Sequence, residues 1–435
     1  MSRGLVIAAP RSGAGKTTVT IGLMRALARR GLAVRPFKCG PDYIDPAFHA
    51  AAAGRPSVNL DTWAMGRATL ARLVQGGEGE VAIAEGVMGL FDGVAEPGQT
   101  ARGSTADLAA LLGWPVVLVL DVSGQAETAA AVAAGCAAYR DDIVVAGAIL
   151  NRVASARHAD MIGAGFRRIG LPILGTVAQD ARFALPERHL GLVQAGETAD
   201  LDARLDALAD IVEATVDLDA VVACAAPTRL ATVAGAAIVP PGQRIAVARD
   251  AAFSFLYPHL LEGWRSAGAE ILPFSPLADQ PPPADADAVW LPGGYPELHA
   301  ATLAAAHRFK SGLQALAARG VSIHGECGGY MVLGRGLQDG EGHRHEMTGL
   351  LSLESSFAQR RLHLGYRRAR LRAPSALGEA GTEVLGHEFH YASVLANDDS
   401  PLVDCRDAGG HPVAESGARR GTVSGTFFHF IDRPT

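Results

Sequence analysis

Cys327 is the residue of this sequence whose setting most suggests covalent chemistry. It stands in HGECGGYMVLG, where a short apolar strand runs into a Glu-Cys-Gly-Gly turn and then a helix. An elbow of this kind is expected to expose the sulfur and set it at a helix N-terminus, where the thiolate is favoured. The base must be a histidine delivered by the fold. His429 in SGTFFHF is the choice, with His324, His387 and His390 as competitors. The loop LPGGYPEL offers consecutive backbone N–H groups at Gly293 and Gly294. With the amide of Gly328 they suit a tetrahedral oxyanion. Together these parts predict thioester formation from glutamine and release of ammonia.

A second chemistry is written near the start. AAPRSGAGKTT follows the first strand and opens a helix, placing Gly13, Ala14, Gly15, Lys16, Thr17 and Thr18 where backbone N–H groups and the helix dipole can hold phosphate oxygens. Lys16 is expected to reach the terminal phosphates of ATP, and Thr17 a magnesium ion. The spacing departs from the ordinary Walker A pattern, because Pro10 lies five residues before Gly15 and the small Ala9 one further back. Next, FKCGPDYIDP crowds Lys38, Asp42, Tyr43 and Asp45 at a sharp Gly-Pro turn on the ligand edge of the sheet. The lesser alternative is that Asp42 and Asp45 are only turn and helix-cap residues, since such a turn needs no lysine. In VAIAEGVMGLFDG, Glu85 ends a strand and is expected as a second Mg2+ ligand, with Asp92 as an acid near the phosphate-bound metal. Later strands end at Asp121, Ser123 and Gln125, and at Asn151. The Asn151 amide either reads an adenine edge or simply terminates its strand.

The elements that must position these groups read as α/β throughout. From Leu5 to about Val177, β-rich runs alternate with Ala/Leu/Arg-rich helical stretches, which predicts a parallel sheet with crossover helices and ligands at the strand ends. Candidate later strands are Val81 to Ala84, Val116 to Leu120, Val144 to Leu150 and Ile173 to Thr176. A shift to Ala, Asp and Leu after Asp200, then the punctuation PPGQ, predicts a boundary near residue 240. A second α/β alternation follows, ending in a β-rich tail that holds GHEFHYA and SGTFFHF. The expected domains are therefore 1–240, binding ATP, and 241–435, the glutaminase.

Bulk composition limits the alternatives. A chain of 435 residues with 49% hydrophobic side chains is large enough for two cores. Five scattered cysteines, never at metal-ligand spacing, suggest neither a disulfide framework nor a zinc site. A net charge of −6 argues against a nucleic-acid partner. Apolar runs bounded like Val116 to Leu120 are too short to cross a bilayer, and the start leaves no room for a signal peptide, so a cytoplasmic location without membrane contact is expected.

Taken together and in order, APRSGAGKTT, KCGPDYIDP, AEGVMGLFDG, AILNRV, LPGGYPE, GECGGYM, GHEFHY and FFHF resemble the cobyrinate or hydrogenobyrinate a,c-diamide synthases of cobalamin biosynthesis, over essentially the full length. The resemblance implies a dethiobiotin-synthetase-like P-loop domain joined to a class I glutamine amidotransferase domain. It implies ATP phosphorylation of the c and then a acetate side chains of a corrin, each acyl phosphate being attacked by ammonia. It puts the nucleophile on Cys327, the base on His429, ATP on Gly13 to Thr18, and substrate handling around Asp42, Tyr43, Ile44, Glu85 and Asp92. The implied partners are a corrinoid polycarboxylate and L-glutamine; the oligomeric state is left open, a homodimer being one option. Ordinary class I amidotransferases follow this histidine with Pro-Glu, whereas here Phe430, Ile431 and Asp432 follow, so the third triad member is not given. Because an acyl phosphate hydrolyses and free ammonia is protonated, a sheltered path from Cys327 to the phosphate loop, closing on substrate, is expected. The rivals are a cobyric acid synthase, acting on other corrin side chains, and a P-loop regulatory ATPase. In the latter case Arg11 stands where such proteins carry a signature lysine, and a glutaminase domain has no place.

Overall fold

The first strand, β1 (Arg3–Ala8), is buried at every position after Arg3, so both its faces must be covered, as in a parallel sheet between helical layers. The computed structural model describes residues 3–180, 187–188, 191–231 and 238–434, which form two compact units, Met1–Gly235 and Ala236–Thr435.

In the first unit β1 is joined by β2 (Val34–Cys39), β3 (Val58–Leu60), β4 (Val81–Glu85), β5 (Val116–Asp121), β6 (Val145–Val153) and β7 (Ile173–Ala178). Their order is β3-β2-β4-β1-β5-β6-β7, and every adjacent pair is parallel. The chain leaves β1 towards β2 on one side and reaches β5 on the other, which makes the end of β1 the switch point where α/β sheets bind ligands. Register sets Glu85 opposite both Ile7 and Lys38, and Asp121 opposite Asn151. The polar strand ends singled out above therefore emerge along one edge.

Two helices start at that edge. Helix α1 (Lys16–Arg29) leaves the phosphate loop directly and buries Val19, Ile21, Leu23, Met24 and Leu27. It packs on the helix Leu201–Thr215, with Arg25 and Arg29 paired to Asp206 and Asp210 at 2.8 and 2.7 Å. The Ala/Asp/Leu-rich stretch after residue 200 is thus part of the first unit, and Ala226–Pro227 returns to pair antiparallel with β1. Helix α2 (Asp45–Ala53) begins just past the Gly-Pro turn, with Pro46 in its first turn and a left-handed Gly54 ending it.

In the second unit a six-stranded sheet runs Glu270–Phe274, Arg244–Ala248, Ala288–Leu291, Ser322–Glu326, Val423–Thr426, Ala418–Arg420. All its pairs are parallel except the last. A separate antiparallel sheet orders Val403–Arg406, His363–Leu371, Glu383–His390 and Phe428–Asp432. The motif SGTFFHF spans both sheets, since Val423–Thr426 ends the parallel run and Phe428–Asp432 enters the antiparallel one. This one-residue switch at Phe427 carries His429 to the end of the strand that bears Cys327. Among the described residues no helix is long and apolar enough to cross a membrane.

Candidate active sites

Cys327 follows the strand Ser322–Glu326 with φ +48°, a conformation that L residues adopt only under constraint, and the short helix Gly328–Leu333 begins immediately after it. The turn closes only around glycines. A β-carbon on Gly329 would lie 2.0 Å from the Leu291 carbonyl oxygen, and one on Gly325 would lie 2.6 Å from the Gly329 backbone. A β-carbon on Gly293 would sit 2.3 Å from His429 Cε1, 3.0 Å from Nε2 and 3.2 Å from Cys327 Cβ. Cysteine, imidazole and the Gly293 backbone thus line one gap no larger than a methyl group. Gly294 and Gly328 also abut, the Gly294 nitrogen lying 3.1 Å from where a Gly328 β-carbon would be. The structure therefore brings together all five groups expected of this site.

The electrostatics correct one expectation. Cys327 is not exposed at the elbow but 2% accessible, and burial, followed by the charges of Glu297, Glu388 and Glu326, pushes its thiol above the ordinary range. A six-residue helix offers too little dipole to offset that desolvation. His429 is fully buried, and desolvation, followed by His387, lowers it to about 3. The resting pair is thus a neutral thiol beside a neutral imidazole, and the thiolate must be made by proton transfer. The competing histidines are occupied elsewhere. His324 faces Ser424 Oγ at 2.9 Å and packs on Trp290, His390 faces Glu388 Oε1 at 2.8 Å, and His387 packs edge-on against Tyr366.

At the sheet edge of the first unit, Gly13 and Gly15 take φ of +76° and +85°, which curl the loop onto the start of α1. Asn151 braces it from β6. Its Nδ2 donates to the Ala14 carbonyl at 2.9 Å and its Oδ1 accepts from the Arg152 N–H at 3.0 Å, which, among the described residues, leaves one N–H and one lone pair of the amide uncommitted. Arg11, also in the loop, pairs with Asp121 at 2.7 Å, and Arg152 reaches the same carboxylate at 2.6 Å.

Glu85 is the hub of this edge. Its fully buried carboxylate accepts at Oε1 from Lys16 Nζ (2.8 Å), Thr17 Oγ1 (2.6 Å) and Lys38 Nζ (3.0 Å), while Oε2 faces His49 Nε2 at 2.5 Å. Burial alone would raise this acid, but Lys16, Lys38 and His49 outweigh it and hold the group well below the usual range. Lys38 also binds Asp45 Oδ2 at 2.5 Å; burial opposes its charge, and Asp45, Glu85 and Asp42 more than restore it. Asp45 lies 3.5 Å from Thr17 Oγ1, so the Thr17 hydroxyl and the Glu85 and Asp45 carboxylates converge there, with Lys38 bound to both acids.

Other expected residues sit differently. Asp42 turns its Oδ1 onto the N–H groups of Ile44 (2.7 Å) and Asp45 (3.1 Å), a helix-entry turn of the kind its sequence setting allowed, and keeps only Oδ2 towards Lys38 at 3.9 Å. Tyr43 and Ile44 lie in that turn, half-buried and buried, and Thr18 continues α1. Asp92 is not brought to the cluster. It is exposed, and its carboxylate accepts from the Gly89 N–H at 2.9 Å, shaping its own loop. His49 was missed, although a signal existed: it stands four residues after Asp45 on α2, on the same helix face.

The fold and these sites define a class. Residues 5–193 match the family described as the CobQ/CobB/MinD/ParA nucleotide binding domain, and residues 244–434 the CobB/CobQ-like glutamine amidotransferase domain. The chain is 60% identical over 432 residues to the hydrogenobyrinate a,c-diamide synthase of Rhodobacter capsulatus, covering 99% of this chain and 98% of that one. It is 57% identical to the synthase of the same name from Mesorhizobium japonicum and 54% to that of Agrobacterium fabrum, with 99% of each chain covered. The protein belongs to the hydrogenobyrinate a,c-diamide synthase family.

Proposed function

We propose that this enzyme amidates the a and c acetate side chains of hydrogenobyrinic acid, using ATP to activate each carboxylate and glutamine as the nitrogen source. The observation that carries the reading is that one chain holds both halves of the chemistry. The Lys16–Thr17–Glu85 cluster lies at a phosphate loop, and Cys327 meets His429 at a glycine-lined elbow. The names of its full-length relatives supply the substrate.

In the glutaminase unit, the Cys327 proton passes to His429 and the sulfur attacks the side-chain amide of glutamine. The oxyanion is held by the amides of Gly293, Gly294 and Gly328, and His429 returns the proton to the leaving ammonia. Water then cleaves the thioester to glutamate. In the nucleotide unit, the backbone of Gly13 to Thr18 holds the phosphates and Lys16 turns from Glu85 to the transferring phosphoryl group. Lys38, with Asp42, Tyr43 and Ile44, faces the corrin carboxylate, and the free edge of the Asn151 amide takes the adenine. Magnesium, held by Thr17 and Glu85 with Asp45, would neutralise the phosphate oxygens as charge shifts. A cytoplasmic location stays part of the reading on sequence grounds alone.

The test is ADP release with each component omitted in turn. Turnover is expected to need hydrogenobyrinate together with glutamine or an ammonium salt, and glutamine cleavage to accelerate when ATP and the corrinoid are both present. An enzyme that turned over no ATP with the corrinoid and a nitrogen source, or that cleaved glutamine regardless of them, would sink this function.

A further inference from the structure

The ordinary position for the third member of such a triad, two residues after the histidine, is Ile431 here, and Asp432 spends Oδ1 on the N–H of Arg433 at 2.9 Å. Another carboxylate reaches the imidazole. Glu326, the residue before the nucleophile, is fully buried at the end of its strand, and its Oε1 accepts from the Phe430 N–H at 2.7 Å. That bond grips the backbone next to His429. The second oxygen, Oε2, lies 3.9 Å from His429 Nδ1, and the Trp290 indole is the other donor beside this carboxylate. A buried carboxylate calls for donors, and the ring nitrogen nearest this oxygen is Nδ1, whereas Nε2 lies by the gap shared with Cys327.

We propose that Glu326 is the positioning residue of this glutaminase, a carboxylate that accepts from His429 Nδ1 and so completes the triad from the nucleophile's own strand. The inference rests on the reading of Cys327 and His429 as nucleophile and base. For Nε2 to take the thiol proton, the ring proton must reside on Nδ1, and an ionised Glu326 selects that tautomer. As the S–H bond breaks and the Nε2–H bond forms, the electron pair stays on sulfur and the ring becomes an imidazolium. Glu326 gains and loses no proton, but lies against the new positive charge.

The surroundings make such a partner necessary. His387, His390 and Glu388, on the strand Glu383–His390, act on the charge of His429, and Glu297, Glu388 and Glu326 itself on that of Cys327, so a charged imidazole meets a mixed field in a buried site. Burial, the largest influence on Glu326, raises it to about 8, opposed by the Phe430 N–H and the Trp290 indole, while burial lowers His429 to about 3. Burial works against a charge on either group, and an opposite charge beside it offsets that cost. The Phe255 backbone also bonds to His429. A carbonyl there can orient the ring, but it cannot neutralise the imidazolium.

The experiment compares Glu326→Gln and Glu326→Asp with the wild type in the full chain, taking the ratio of glutamine-driven to ammonium-driven amidation. For Glu326→Gln the ratio is expected to fall about 10²-fold through kcat with KM for glutamine little changed, Glu326→Asp recovering part of it. The residual rate should climb about tenfold per pH unit through neutrality, as a thiol without its charge partner requires. A ratio within about threefold of wild type with an unaltered pH profile would overturn the proposal. Nitrogen-15 imidazole spectra of the folded wild type offer a check free of any substitution: His429 should carry its proton on Nδ1, and an Nε2–H tautomer would contradict the assignment. Glutamine use surviving in Cys327→Ala would instead remove the reading beneath it.

Discussion

Cys327→Ala is expected to lose glutamine-driven amidation by a factor on the order of 10³ or more, while ammonium salts still drive product formation. The asymmetry follows from the division of labour between the two units. The substitution removes one sulfur from a gap of about a methyl group's size and leaves the glycine turn, the Leu291 contact and the nucleotide unit untouched. The strained φ of +48° at Cys327 is then held by an alanine, which costs no more than the cysteine did. Steady-state rates with each nitrogen donor decide the matter. Loss of both donors in a folded protein would take the role of nitrogen release away from Cys327.

Lys16→Ala should do the reverse. Product formation from either donor is expected to drop by about 10²–10³-fold, because the ammonium that tracks the transferring phosphoryl group is gone. Basal glutamine cleavage should persist, without its acceleration by ATP and corrinoid. The choice of lysine matters. Glu85 would still be compensated by Lys38 at 3.0 Å and His49 at 2.5 Å, so the buried carboxylate is not abandoned. Removing Glu85 instead would leave Lys38, 2% accessible, with only its aspartates, and loss of one partner in a buried pair costs about 3–5 kcal/mol. Lys16→Ala therefore separates chemistry from folding where Glu85→Ala cannot. Unchanged ammonium-driven synthesis in Lys16→Ala would remove the phosphate loop from the reaction.

What could be read in advance was what is local in the chain. The phosphate loop announces itself because strand, glycines, lysine and helix start are contiguous from β1 to α1, and the elbow at Cys327 because its glycines are its neighbours. Even Asp42 carried both its readings in the Gly-Pro turn. What escaped depends on which strands lie side by side. Lys38 meets Glu85 only because β2 and β4 are adjacent in a register that pairs those two residues, and His49 joins them from the next turn of α2. Glu326 was read only as part of the Glu-Cys-Gly-Gly turn, since nothing in GECGG says that SGTFFHF will change sheets at Phe427 and bring His429 within 3.9 Å of it. The expected exposure of the Cys327 sulfur failed for the same reason: a motif states the turn, whereas burial is set by the sheets that close over it.

The central claim is that nitrogen cut from glutamine replaces an oxygen that has left with phosphate, and isotope tracing follows both atoms at once. Hydrogenobyrinate labelled with 18O in its acetate carboxylates would be turned over with ATP and amide-15N glutamine, and both products analysed by mass spectrometry. One 18O should appear in inorganic phosphate for each 15N that enters the corrin, ending at two of each per molecule. Amidated product accompanied by unlabelled phosphate, or by AMP in place of ADP, would contradict the account.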